Sequence, residues 1–418
     1  MNSHKPDRIR EGHAHLFQLG RSLSMVDLSD CTSHEDMLDR LSARAKTTRK
    51  GDWILAHGAR PDGWANPSWP TLSQLDHACD DLCVAAWCFD YHKMMASSSA
   101  LRCAKIDAHT QIESGRVELD DAGDPTGVLI EHAALALWSC VPEPEMNLRA
   151  ELIRDACLHL ESMGFSEMHE LKTQPWVGGV LSDLYRAGEI KIKSVLFPLM
   201  KDLRETIALS SSWDSQAVTL GGGKIFVDGT FNSRTAWMLE PFADGNPEYP
   251  CGTPMMKTRQ IDNMLGNCKD HNLPLAAHAI GDGAVRAVLD SIERVGCAGT
   301  GCRIEHAELI DQADINRFKE LGVIASVQPC HLLPDIEALR RAVPDRLDRV
   351  FPLRELIDSG LQPGVDLIFG SDVPIVRANP EDSIQAAVHR RRVGMDQCDA
   401  INVDQRITEK EAWACFAC

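Results

Sequence analysis

The chain lacks long apolar runs; none reaches the roughly 18 residues that a membrane-spanning helix needs. Its first residues, Met1-Asn2-Ser3-His4-Lys5-Pro6-Asp7, are polar and contain no apolar segment of a secretory signal. It also lacks an excess of basic charge. Its 43 Lys and Arg against 61 Asp and Glu leave a net charge of −18, which disfavours nucleic acid or an anionic membrane as a partner. No G-x-G-x-x-G or phosphate-loop motif supports a doubly wound nucleotide fold, and no repeat of a solenoid kind is found. Cysteine is plentiful, at 15, yet Cys297 with Cys302 and Cys415 with Cys418 lack a second pair at zinc-finger spacing. Cysteines inside apolar stretches such as Leu82-Cys83-Val84-Ala85-Ala86-Trp87-Cys88 read as buried reduced thiols of a cytoplasmic protein.

What is present is an ordinary globular composition, 44% hydrophobic and 25% charged. Short apolar runs alternate with amphipathic stretches along the whole chain, as in 148–163 (helical spacing) followed by Phe165-Ser166-Glu167-Met168-His169-Glu170 (strand). The runs at 52–58 and 82–89 read as strands of the same series. Such alternation argues for a parallel sheet with helical crossovers. Polar residues recur at strand ends: His15, His92, His169, His278, His306, Gln328 and Asp372. That suits an eight-stranded barrel, whose active site gathers at the C-terminal ends of its strands. The expectation is an α/β fold, a (β/α)8 TIM-type barrel with insertions, forming one domain over 1–418. A β-hairpin insertion is expected near 111–130, turning at Asp120-Asp121-Ala122-Gly123-Asp124-Pro125. The loop 58–70 carries Trp64 and Trp69, which either line a site or pack at the surface.

The chain is organised around Glu11-Gly12-His13-Ala14-His15-Leu16. Two histidines two apart on a strand project to the same side and can reach one cation. With Lys224, His278, His306 and Asp372 they make a set suited to one or two divalent metals, with nitrogen donors for zinc-like ions and a carboxylate beside them.

Several segments, in order, carry a resemblance. They are Glu11-Gly12-His13-Ala14-His15-Leu16, Asp90-Tyr91-His92 with Ser98-Ser99-Ala100-Leu101, Gly223-Lys224-Ile225-Phe226-Val227-Asp228-Gly229, His278-Ala279-Ile280-Gly281-Asp282-Gly283-Ala284, Arg303-Ile304-Glu305-His306-Ala307, Ser326-Val327-Gln328-Pro329 and Phe369-Gly370-Ser371-Asp372-Val373-Pro374. The chain resembles the amidohydrolase superfamily, and within it amidohydrolase family 3, the YtcJ-like metal-dependent hydrolases. The resemblance implies that His13, His15 and Asp372 bind the more buried metal. It implies that Lys224 is carboxylated (N6-carboxylysine) and bridges to a second metal on His278 and His306, with zinc the expected ion. Burial would lower the lysine pKa and ready the amine for that reaction. The implied activity is hydrolysis of a carbon–nitrogen bond in a small-molecule substrate. Asp372 would take a proton from the attacking water and pass it to the leaving nitrogen. His92 would steady the carbonyl oxygen or make only a structural hydrogen bond. Gln328 and Trp64 are candidate substrate contacts, and Asp228, Asp282 and Glu305 candidate carboxylates for orienting ligand histidines.

The sequence departs from the family in places. Glu11 stands where Asp is usual. Only 12 residues precede His13 and the chain stops at Cys418, so the family's small β-sandwich is expected to be absent or truncated. A homo-oligomer would then cover apolar surface at the barrel bottom. Two other readings stay open: a catalytically impaired metal-binding barrel, and an esterase or decarboxylase on the same fold.

Overall fold

The computed structural model describes residues 4–89, 91, 93–112 and 115–418. The chain divides into two compact units, one of Met1–Phe17 with Ile153–Cys418 and one of Gln18–Leu152, where the sequence suggests a single domain.

The first unit is built on two all-parallel sheets. One orders the strands Ile9–Ala14, Phe165–Thr173, Lys193–Pro198 and Val218–Leu220. The other orders Gly223–Phe226, Leu275–Ala279, Arg303–His306, Ile324–Val327 and Leu367–Phe369. Parallel neighbours cannot be joined by a tight turn, so helices carry the chain back between them. Val177–Arg186, Leu203–Ser210, Thr258–Asp270, Asp282–Val295 and Ile315–Leu321 do this. The last two stop on Gly296 and Gly322 in left-handed conformation, which glycine adopts at no steric cost.

The two sheets are linked by isolated parallel bridges, Ala14 with Val373 and Leu199 with Lys224. At the first, the His15 amide donates to the Val373 carbonyl at 2.8 Å and the Asp372 amide to the His13 carbonyl at 2.8 Å. Glycine permits this approach. A Cβ on Gly12 would sit 2.5 Å from the Phe369 oxygen, and one on Gly370 would sit 2.4 Å from the His13 nitrogen. Among the described residues the result is a mixed α/β fold with separate sheets, not one closed sheet. The start of the first strand is held by the chain's end: the Arg10 amide donates to the Phe416 carbonyl at 2.7 Å. Buried Phe416 there meets the rings of Phe165, Phe369 and Trp413.

The second unit holds a mixed sheet in the order Val26–Asp27, Trp53–Ala59, Cys83–Cys88, Lys93–Ala96, Pro125–Glu131 and Gly115–Leu119. The first three run parallel and the rest antiparallel. The runs at 52–58 and 82–89 therefore belong to this sheet and not to those of the first unit. Period-two alternation fills both of its faces. Val84, Ala86, Met95 and Val128 join Leu41, Ile54 and Leu75 in one apolar cluster. Their neighbours Ala85, Trp87, Met94 and Leu129 join Leu101, Ala133 and Leu137 in another. Among the described residues no helix is long and apolar enough to cross a membrane.

Candidate metal centre

The candidate ligands lie on or just beyond the strands of the first unit. His13 is in the Ile9–Ala14 strand and His15 directly follows it; His278 and His306 are in the Leu275–Ala279 and Arg303–His306 strands. Asp372 stands three residues past Phe369. All are buried. His13 Nε2 is 3.3 Å and His15 Nε2 2.9 Å from Asp372 Oδ1. Ligand atoms of these three residues fall within 4.8 Å of one another, as do those of His306, His331 and Asp372. The imidazoles form a continuous patch. Ring centroids are 5.4 Å apart for His13 and His15, 4.9 Å for His13 and His306, and 4.4 Å for His278 and His306.

Burial sets the protonation of this patch. It lowers His13 to about 4 and His278 to about 3, and it holds His306 well below the usual imidazole value. The rings of His13, His278 and His306 are then neutral near pH 7 and offer lone pairs. Burial would raise Asp372, but His13 and His15 outweigh it and hold the carboxyl below its ordinary range. Lys224 is 1% exposed, and burial lowers its amine to about 8.

Buried polar atoms are normally paired. Here His15 Nδ1, His306 Nδ1 and Lys224 Nζ have no hydrogen-bond partner in the chain. The ligand atoms of His13, His15 and Asp372, within 4.8 Å of one another and buried, fit a divalent cation.

Around these groups lies a frame of carboxylates. Glu305 Oε2 is 2.7 Å from His13 Nδ1, so that nitrogen donates and Nε2 keeps its lone pair on the Asp372 side. Glu305 is itself gripped by Arg303, which also reaches the Gly12 carbonyl at 2.7 Å, Ser326 Oγ at 2.8 Å and His169 Nδ1 at 2.7 Å. Glu11 accepts from the amides of His13 and Ser371 at 3.0 and 2.7 Å and from Ser371 Oγ at 2.9 Å, while burial raises its carboxyl to about 7. Asp228 accepts the amides of Trp237, Ile280 and Gly281 at 2.9–3.0 Å and lies 3.7 Å from His278 Nε2. His278 Nε2 donates to the Gly229 carbonyl at 3.1 Å.

Other candidates lie differently. Asp282 accepts the Leu239 amide at 2.8 Å and so secures the 227–257 segment, with no contact to an imidazole among the described residues. Gln328 lies 3.4 Å from His13 Nδ1 through its amide nitrogen, and its Oε1 is unpaired. Trp64 belongs to the second unit, where it meets Trp69 edge to face. His92 and Asp90 lie outside the described residues.

Sequence reasoning passed over His331 and Glu308. His331 sits in the short turn Pro329–His331, off any strand periodicity. The one available signal was its position three residues after Gln328. Burial would lower its pKa, but the carboxylates of Glu308 and Asp372 raise it to about 9.

Comparison with known proteins agrees with this arrangement. A family model described as "Amidohydrolase family" matches residues 10–416. The chain is 27% identical over 390 residues to the putative amidohydrolase YtcJ of Bacillus subtilis (strain 168), spanning 91% of this chain and 72% of that protein. It is 23% identical over 427 residues to an N-substituted formamide deformylase of Arthrobacter pascens, spanning 95% and 76%. Among solved structures, an uncharacterized metal-dependent hydrolase from Pyrococcus horikoshii OT3 superposes with a TM-score of 0.78 at 26% identity, covering 97% of this chain and 78% of that one.

Proposed function

The chain belongs to the amidohydrolase family, and from that premise we propose that it is a metal-dependent hydrolase of carbon–nitrogen bonds in non-peptide amide, N-acyl, N-formyl or carbamate-like small molecules. One observation carries the reading: donor atoms of His13, His15 and Asp372, far apart in sequence, lie within 4.8 Å of one another in a buried place. The parallel strands of the first unit, with Val218–Leu220 and Gly223–Phe226 taken as one, are read as a (β/α)8 barrel, with the Ala14–Val373 and Leu199–Lys224 bridges as its seams. In this reading His13, His15 and Asp372 hold one divalent cation. Lys224, as its N6-carboxy derivative, would join His278 and His306 around a second. Zinc is the ion proposed, because imidazoles dominate the set.

A bound divalent cation supplies Lewis acidity, which makes water nucleophilic near neutral pH and polarises a carbonyl. The chain's own residues do the rest. Asp372, held in its ionised form, accepts the proton of the attacking water and returns it to the leaving nitrogen. Glu305 fixes the ring of His13, so the donor nitrogen stays aimed. Burial of the ligand side chains limits competing water and strengthens each electrostatic contact. The name of the Arthrobacter pascens relative supports placing N-formyl compounds first among substrates.

Metal analysis followed by hydrolysis assays on N-acyl and N-formyl compounds tests this. We expect one or two equivalents of divalent cation per chain and turnover of part of the panel. Asp372→Asn should still take up cation supplied in excess while losing turnover by about a thousandfold or more, as loss of an essential proton-transfer group does. Full loading of the unaltered protein with no hydrolysis across the panel would overturn the proposal and favour a non-catalytic metal-binding barrel.

A further inference from the structure

The peptide between Ser371 and Asp372 is clamped on both sides. Its N–H, on Asp372, donates to the His13 carbonyl at 2.8 Å. Its C=O, on Ser371, faces His331 Nε2 at 3.2 Å. A carbonyl oxygen only accepts, so Nε2 must be the donor. The other ring nitrogen, Nδ1, lies 3.3 Å from Glu308 Oε1. A ring engaged through both nitrogens has no free lone pair to offer a cation, although His331 stands close enough to His306 and Asp372 to be counted with them. Its position suits support better than ligation.

Such support has a purpose. Asp372 has φ +64°, a left-handed conformation that a non-glycine residue adopts only when its surroundings impose it. That backbone turns the carboxylate toward His13 and His15. Glu11 fixes the preceding amide and hydroxyl of Ser371, which leaves the Ser371 carbonyl to His331. Glu308 follows His306 by two residues, so the brace runs from one ligand-bearing strand to the turn that bears Asp372.

We propose that His331, held by Glu308, is a positioning residue that sets the plane of the Ser371–Asp372 peptide and so the aim of the Asp372 carboxylate. This rests on the reading of Asp372 as a cation ligand. The test is cobalt(II) affinity by chelator competition, with the visible spectrum of the cobalt-loaded protein. His331→Phe keeps a ring of similar size and removes both contacts. It should weaken cobalt binding about tenfold and change the spectrum, in the range known for residues that orient metal ligands. Glu308→Gln should do the same to a smaller degree, and it serves where His331→Phe fails to fold. In an Asp372→Asn background, His331→Phe should add nothing further, because there is no carboxylate left to aim.

Wild-type affinity and spectrum in both His331→Phe and Glu308→Gln would overturn the proposal. So would a loss of equal size with and without Asp372, the sign of a direct ligand or a general structural effect. Wild-type protein that takes up no cobalt, or is indifferent to Asp372→Asn, would instead sink the functional reading, and this inference with it.

Discussion

Two strands of similar burial show how unlike the two units are. Cys83–Cys88 in the second unit reads CVAAWC and feeds apolar clusters on both faces of its sheet. Arg303–His306 in the first unit reads RIEH, is buried along its whole length, and places Arg, Glu and His inside. Each apolar side chain taken from water favours folding by about 1.5–3 kcal/mol. A buried charge costs several kcal/mol unless it is paired and hydrogen-bonded. The first strand is stabilised by what it buries. The second must be supported by its partners and by the apolar side chains elsewhere in its unit, such as Phe318, Ile292 and Leu356. Buried ionisable groups gathered in this way are disfavoured by stability alone, which is why they point to chemistry.

That contrast can be broken most severely at Arg303. Arg303→Met leaves buried Glu305 without its guanidinium partner and removes the donors to Gly12, Ser326 and His169. A loss of about 3–5 kcal/mol is expected in urea unfolding, with impaired cation uptake. Lys224→Met should act in the opposite direction on stability. It replaces a buried amine that has no hydrogen-bond partner by an apolar chain of similar size. The cation-free protein should gain about 1–2 kcal/mol while cation binding falls. A loss of stability in the cation-free state would mean that the attraction of Glu305 and Asp372 for the ammonium outweighs the cost of burying it. Ile54→Val in the second unit should cost only about 1 kcal/mol, through lost burial and a small cavity, and leave cation content unchanged. Altered metal content there would blur the division of labour.

How much of this was legible in the sequence follows from the same contrast. Polar residues interrupting apolar strand runs are conspicuous, and so His13, His15, Lys224, His278, His306 and Asp372 could be named before their distances were known. Strand existence was also readable at 165–170 and 323–328, close to Phe165–Thr173 and Ile324–Val327. Sheet membership was not. An apolar run shows that both faces are covered without showing by which sheet, and 52–58 and 82–89 were counted with the wrong one. Contacts across great sequence separation left no local trace. Glu11 reaches Ser371, 360 residues on, through an ordinary-looking E-G-H. The glycines at 12 and 370 matter because of each other's strand, which neither segment reveals alone. His331 escaped because a short turn has no periodicity to read.

The central claim is that the buried imidazoles and the Asp372 carboxylate grip a divalent cation. Anomalous X-ray diffraction from crystals of zinc-loaded protein, recorded on both sides of the zinc absorption edge, addresses it directly. The account predicts a peak at coordination distance, about 2.0–2.2 Å, from nitrogens of His13 and His15 and an oxygen of Asp372. A fully loaded crystal with no peak there, or with its peak only at the Asp396, Cys398 and Asp399 group, would contradict it.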